Sequence, residues 1–126
     1  MSGAAPLLSG HRVLVVEDEE LIGLMLADLL KDMGAEVAGP VASVAEALRL
    51  LEREAVTGAL LDLSLRGETA YPVADRLLAR GVPFIFITGH GQGALEARHA
   101  QALVLGKPFG ADQLAGVLAR AGWAAR

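Results

Sequence analysis

The chain has 126 residues, enough for one domain around one core. Apolar residues make up 53% of it and the net charge is −4, so the chain folds rather than staying disordered, and it carries no basic patch suited to nucleic acid. It has no cysteine, which excludes disulfides, thiolate metal sites and a cysteine nucleophile. No apolar run reaches membrane-spanning length or forms a signal-peptide core, so membrane insertion is not expected and a cytoplasmic protein is.

Residues 1–11 read as a flexible arm. Arg12-Val13-Leu14-Val15-Val16 is a continuous β-branched run, hence a buried strand, and it ends directly in Glu17-Asp18-Glu19-Glu20. The helix dipole accounts for one or two acids at a helix start, but not for acids that begin at the strand end. Ile22, Met25, Leu26, Leu29 and Met33 recur at a helical period, and Gly34 follows as a stop. Glu36-Val37-Ala38-Gly39 is a weak edge strand closed by Pro40. Ser43-Val44-Ala45-Glu46 is a capping box that opens a second helix through Leu51.

Gly58-Ala59-Leu60-Leu61-Asp62-Leu63-Ser64 is a short apolar strand ending in a carboxylate. The plain reading is that Asp62 caps the loop after the strand. An ionised carboxylate is costly to bury, however, so Asp62 belongs at the carboxyl end of the strand, where ligands bind in open α/β sheets. Residues 65–69 read as a loop, and Pro72 suits the first turn of a helix whose inner face holds Val73, Leu77 and Leu78. Phe84-Ile85-Phe86-Ile87-Thr88 is a fourth strand with Pro83 at its start. A glycine-rich loop at 89–93 and a short, Ala-rich helix over 94–101 follow, with little to bury. Ala102-Leu103-Val104-Leu105 is a fifth strand, then Gly106-Lys107-Pro108-Phe109 and a last helix through Leu114, Val117 and Leu118. Trp123 is expected to cap that helix. His11 and His99 carry no signal, and His90 reads as a solvated loop residue.

This alternation predicts a flavodoxin-like (βα)5 domain over 12–122, a parallel five-stranded sheet in the order 2-1-3-4-5 with helices on both faces. Residues 123–126 are expected to be a short end without an output domain. The carboxyl ends of the central strands then bring Asp18, Asp62 and Thr88 to one crevice, with Lys107 in reach. Asp62 is a candidate carboxylate nucleophile for aspartyl-phosphate formation. Glu17 and Asp18 supply negative charge for Mg²⁺, a hard cation that prefers oxygen ligands. Lys107 pairs with a phosphoryl oxygen as a point charge, Thr88 offers a hydroxyl donor to another, and Gly89 leaves space for the group.

With Glu17-Asp18, Asp62, Thr88 and Lys107-Pro108-Phe109 in order across five β-α units, the chain resembles the receiver domains of bacterial two-component response regulators. The resemblance implies phosphoryl transfer to Asp62 from a histidine kinase or a phosphotransfer protein. It implies Mg²⁺ held by Asp18, Asp62 and the Ser64 backbone carbonyl with Glu17 acting through water, a cis Lys107-Pro108 bond, and a downstream protein target or a shuttle or sink role. Such a protein signals and assists its own phosphorylation; it is not an enzyme. The chain departs from the family at Arg66, where most receivers have proline, at Val104, where most have an aromatic residue, and in its short segment between Thr88 and Lys107. The stretch Tyr71-Pro72-Val73-Ala74-Asp75 and the run Pro83-Phe84-Ile85-Phe86-Ile87-Thr88-Gly89 resemble the FATGUY subgroup of single-domain receivers, whose kinases often belong to the HWE or related families; Ile87 and Gly91 depart from its signature.

Two other functions compete. A haloacid-dehalogenase-like phosphatase also uses an Asp nucleophile, but it wants a second Asp where this chain has Ser64. A receiver-like interaction module would need no phosphate. With Val104 too small and stiff to act as a swinging ring, the segment 89–101 is expected to carry the switch, becoming ordered when Thr88 grips a phosphoryl oxygen.

Overall fold

A computed structural model describes residues 7–89 and 95–123. The central sheet has β1 (Arg12–Val16), β2 (Glu36–Val41), β3 (Gly58–Asp62), β6 (Phe84–Thr88) and β7 (Leu103–Gly106), in the order β2-β1-β3-β6-β7 with every pair parallel. This is the expected 2-1-3-4-5 order, because a small hairpin takes the labels β4 (Ser64–Leu65) and β5 (Glu68–Thr69). Helices α1 (Glu20–Asp32), α2 (Val44–Arg53), α3 (Tyr71–Ala79) and α4 (Ala111–Arg120) cover the two faces.

Strand side chains alternate between those faces. Leu14, Val16, Ala59, Leu61 and Phe86 pack with Val44, Ala47, Leu50 and Leu51 of α2 and with Val73, Ala74 and Leu77 of α3. Val13, Val15, Leu60, Ile85 and Ile87 pack with Leu26 and Leu30 of α1 and with Leu114, Val117 and Leu118 of α4. The continuous apolar runs are therefore the sequence image of strands buried on both sides. Ser43 caps α2 as expected, its Oγ accepting from the Glu46 N–H at 3.2 Å.

Several local expectations change. Leu78 is exposed while Leu77 is buried, because neighbours on a helix diverge by about 100° and one inner face cannot hold both. Met25 is likewise exposed, about 100° around the helix from Leu26 on the buried face. Strand β2 does not close at Pro40 but continues through it to Val41, with a register irregularity; an edge strand tolerates the missing N–H. The loop 65–69 is the β4–β5 hairpin, turned by Arg66 and Gly67 with φ of 36° and 86°, the left-handed pair that a two-residue hairpin requires. The helix expected over 94–101 is, where described, a 3-10 turn at Ala97–His99.

The arm expected through residue 11 is packed at its described end. Leu8 is fully buried and its N–H donates to the Met33 carbonyl at 2.8 Å. His11 is buried and stacks on Trp123, whose ring lies over the start of β3 rather than merely capping α4. A Cβ at Gly58 would stand 2.6 Å from the Trp123 Cη2 atom, so glycine is required there by close approach. Among the described residues no helix is long and apolar enough to cross a membrane.

Candidate functional site

The site is built at the carboxyl edge of the sheet. Strand β1 runs straight into Glu17 and Asp18, and β3 ends at Asp62, its neighbour in the sheet. Asp62 pairs with Ile87 on β6, which sets Thr88 one residue further along the same edge. Thr88 pairs with Gly106 on β7, and the next N–H, that of Lys107, donates to the Thr88 carbonyl at 2.7 Å. Four strands thus deliver five of the expected side chains, Glu17, Asp18, Asp62, Thr88 and Lys107, to one place. The Lys107–Pro108 bond is cis.

Glu17, Asp62 and Thr88 are 2%, 5% and 6% exposed. Buried carboxylates demand partners. Lys107 supplies them: its Nζ donates to Asp62 Oδ2 at 2.9 Å and lies 3.1 Å from Glu17 Oε1, with Glu19 at 3.8 Å. Asp62 Oδ1 accepts from the Ser64 N–H at 3.2 Å, and Glu17 Oε2 accepts from the Glu19 N–H at 3.0 Å. The approach of Lys107 to Glu17 lacks hydrogen-bond geometry, so Glu17 Oε1 is a buried acceptor with no hydrogen bond among the described residues.

One lysine between two buried carboxylates leaves negative charge in excess. Burial foremost, and Asp62 beside it, push the Glu17 carboxyl up to about 7 against the opposing hydrogen bond from Glu19. Burial works against the charge on Lys107, but Asp62 and Glu17 outweigh it and hold the ammonium above its ordinary value. One carboxylate oxygen each from Glu17, Asp18 and Asp62 lie within 4.8 Å of one another. Three converging carboxylate oxygens, beside a buried Glu17 Oε1 that accepts no hydrogen bond, are a donor set that fits a hard divalent cation.

The remaining expected residues fall as follows. Ser64 adjoins Asp62 through its N–H and pairs with Thr69 in the hairpin. Gly89 faces open space: a Cβ there would meet nothing within 4 Å, so in this state a larger residue would also fit. His90, Gly91 and Gly93 lie outside the described residues. The part of the following connection that is described is docked. Arg98 forks onto Asp75 of α3 at 2.8 and 3.0 Å, pairs with Glu96 and lies over the Tyr71 ring. His99, 3% exposed, donates through Nε2 to the Asp75 carboxylate at 2.8 Å and stacks on Tyr71. Tyr71 Oη in turn accepts from the Glu96 N–H at 3.0 Å. The Arg98 fork foremost, helped by His99 and opposed by burial, holds Asp75 down at about 2.

Sequence reasoning missed this Asp75–Arg98–His99 cluster, since residues 75 and 98 meet only once α3 lies beside the β6–β7 connection. It also missed a second basic group at the site. The Arg66 guanidinium reaches Asp18, with Nε 3.5 Å from Oδ2 and an Nη donating to the Asp18 carbonyl at 3.4 Å. A groove of about 790 Å³ opens there, lined by Glu17, Asp18, Pro40, Ser43, Arg66 and Glu68 among others.

An open parallel sheet with a lysine-paired Asp at the end of its third strand, and two acids at the end of its first, defines a receiver-type domain. Residues 13–119 match the response regulator receiver domain, and the chain belongs to that family. It is similar to SdrG from Sphingomonas melonis Fr1, with 39% identity and a TM-score of 0.78 over 94% of this chain and 98% of that one. SdrG has also been solved in a BeF3-activated conformation, 38% identical with a TM-score of 0.76 over 97% of this chain and 99% of that one. The receiver domain of PhyR from Erythrobacter litoralis is 27% identical with a TM-score of 0.81, covering 91% and 92% of the two chains. Among curated proteins, the transcriptional regulatory protein PdtaR of Mycobacterium tuberculosis is 31% identical over 108 residues, 82% of this chain and 53% of PdtaR. The chain thus spans about half the length of that relative.

Proposed function

We propose that Asp62 is a phosphoacceptor that takes a phosphoryl group from a phosphohistidine of a histidine kinase or a phosphotransfer protein. The observation that carries this is the pairing of a 5%-exposed Asp62 with Lys107 at 2.9 Å, beside two further carboxylates at the same sheet edge. An Asp62 oxygen attacks phosphorus, the P–N bond breaks, and the donor imidazole leaves with the electron pair. Both oxygens are engaged at rest, Oδ1 by the Ser64 N–H and Oδ2 by Lys107, so the attacking oxygen gives up one of these contacts. Lys107 then follows the charge to a phosphoryl oxygen, and the Thr88 hydroxyl donates to another. Asp18, Asp62, the Ser64 carbonyl and, through water, Glu17 would hold Mg²⁺, which would supply positive charge that offsets the phosphoryl oxygens.

The groove of about 510 Å³ beside Lys107, lined by Ile22, Met25 and Phe109, gives the donor an apolar seat next to the nucleophile. This reading makes the protein a cytoplasmic signalling domain and not an enzyme in the turnover sense. A kinase of the HWE type and the FATGUY subgroup fit the Tyr71–Asp75 stretch, and the BeF3-activated state of SdrG supports a site that accepts phosphoryl mimics. Incubating the protein with acetyl phosphate and Mg²⁺ and weighing it intact should give one alkali-labile phosphoryl adduct. Asp62→Asn should keep the fold and give none, because a neutral amide does not attack phosphorus. An adduct on the variant overturns the assignment, and steady phosphate release from esters favours the phosphatase.

A further inference from the structure

Glu17, Asp18 and Asp62 meet Lys107 and Arg66 at the sheet edge, with Glu19 at its rim, and they are paired in a particular way. Lys107 serves Asp62 and Glu17, and Arg66 serves Asp18. Asp18 has only 12% of its side chain exposed, so the Arg66 contact compensates a carboxylate that solvent reaches poorly. Arg66 also binds the Asp18 carbonyl, which anchors the guanidinium to this residue rather than to the acidic cluster at large.

The backbone explains how it gets there. Arg66 occupies the first turn position of the β4–β5 hairpin with φ of 36°, a conformation proline cannot adopt. The turn projects the side chain across the groove between the hairpin and α1, where it and Asp18 share the lining. At the same time 81% of the Arg66 side chain is exposed, so leaving Asp18 costs it little packing.

We propose that Arg66 is a built-in counter-cation for Asp18, which a divalent cation must displace to enter the acidic cluster, so that Arg66 sets the cation affinity of the resting site. The proposal rests on the reading of Glu17, Asp18 and Asp62 as a cation site and adds a competitor from within the chain. Two positive groups cannot share one carboxylate at close range without repulsion. Displaced, the guanidinium swings to solvent at the mouth of the same groove.

The test is a MgCl₂ titration followed by backbone amide shifts of residues 17–18 and 62–64, without any phosphoryl donor. Wild type, Arg66→Gln, Arg66→Lys and Asp18→Ala are compared. Gln keeps the stem through Cδ and removes the charge; the turn strain is comparable for both residues. Arg66→Gln should bind Mg²⁺ about three- to tenfold more tightly than wild type at low ionic strength. The difference should fall toward unity in 1 M KCl, where the screening length is about 3 Å. Arg66→Lys should lie between, as a point charge without the fork that spans carboxylate and carbonyl. The Arg66 side-chain Nε–H resonance of the wild type should shift as Mg²⁺ is added. Equal or weaker binding by Arg66→Gln, with wild type binding and Asp18→Ala not, overturns the role of Arg66 alone. Absence of Mg²⁺-dependent shifts in wild type overturns the cation site and Arg66's role with it.

Discussion

Asp75→Ala should loosen the connection between Thr88 and Lys107 from a distance. In the wild type the Asp75 carboxylate accepts from the buried His99 ring at 2.8 Å and from both arms of Arg98. The Arg98 pair is solvent-exposed and adds little to stability at neutral pH. Truncation leaves the His99 N–H unpaired at a site only 3% exposed, and an unsatisfied buried donor costs about 1–3 kcal/mol. For a domain of this size that lowers Tm by about 3–10 °C. The loss is local first. The N–H groups of His99, Ala100 and Ala102, bonded within the turn to Glu96, Ala97 and His99, should exchange with deuterium about tenfold faster or more. Because Arg98 and His99 hold Asp75 at about 2, below an ordinary carboxyl near 4, the contribution is fully present above about pH 4 and fades as pH falls through 2. The Tm gap between wild type and variant should therefore shrink as pH falls from about 4 toward 2. Unchanged exchange across residues 95–102, or a gap that widens as pH falls from about 4 to 2, would refute the reasoning.

Mg²⁺ should raise the melting temperature of the wild type by mass action on a site where three carboxylate oxygens crowd within 4.8 Å. Asp18→Ala should abolish that rise and leave the metal-free protein equally or more stable; equal Mg²⁺ gains in both, by scanning calorimetry, would count against the cluster as the cation site. Gly58→Ala should destabilise by about 1–3 kcal/mol in urea unfolding, since the new methyl stands 2.6 Å from Trp123. Adding Trp123→Leu should recover part of that loss, and a neutral Gly58→Ala would show that the ring is free to retreat.

The sheet and the core of the site were legible because both are written in local pattern. Short apolar runs give strands buried on both faces, and an acid that ends such a run must lie at the sheet edge, so Asp18, Asp62, Thr88 and Lys107 could be gathered from topology alone. What sequence hid is pairing across distance. Two-residue strands carry no periodicity, so in the sequence the hairpin reads as a loop and Arg66 only as a departure from proline. His99 and His11 looked inert because a lone histidine announces neither burial nor partner; one is packed under Asp75 and the other under Trp123. The glycine at 58 looked like a strand boundary, and its reason is a ring contributed by residue 123.

The departure at Val104 gains a physical counterpart from the same packing. Val104 pairs with Phe86 in the sheet and is 38% exposed, so an aromatic ring there would stand on the open side of β7. This chain instead gathers its aromatic mass on β6, on α3 and in the β6–β7 connection. Phe84 and Phe86 meet His99 edge to face at 5.7 Å, and Tyr71 stacks on His99 at 5.4 Å with the rings 6° from parallel. Alternation along β6 puts Thr88 on the same face as Phe84 and Phe86. A displacement of Thr88 therefore meets rings that are packed against α3 and tied to Asp75, whereas β7 offers it only a stiff, small valine. On the proposed phosphoacceptor reading, the surface to watch for a change is α3 with the 95–102 connection, and the Asp75→Ala exchange experiment reads that surface directly.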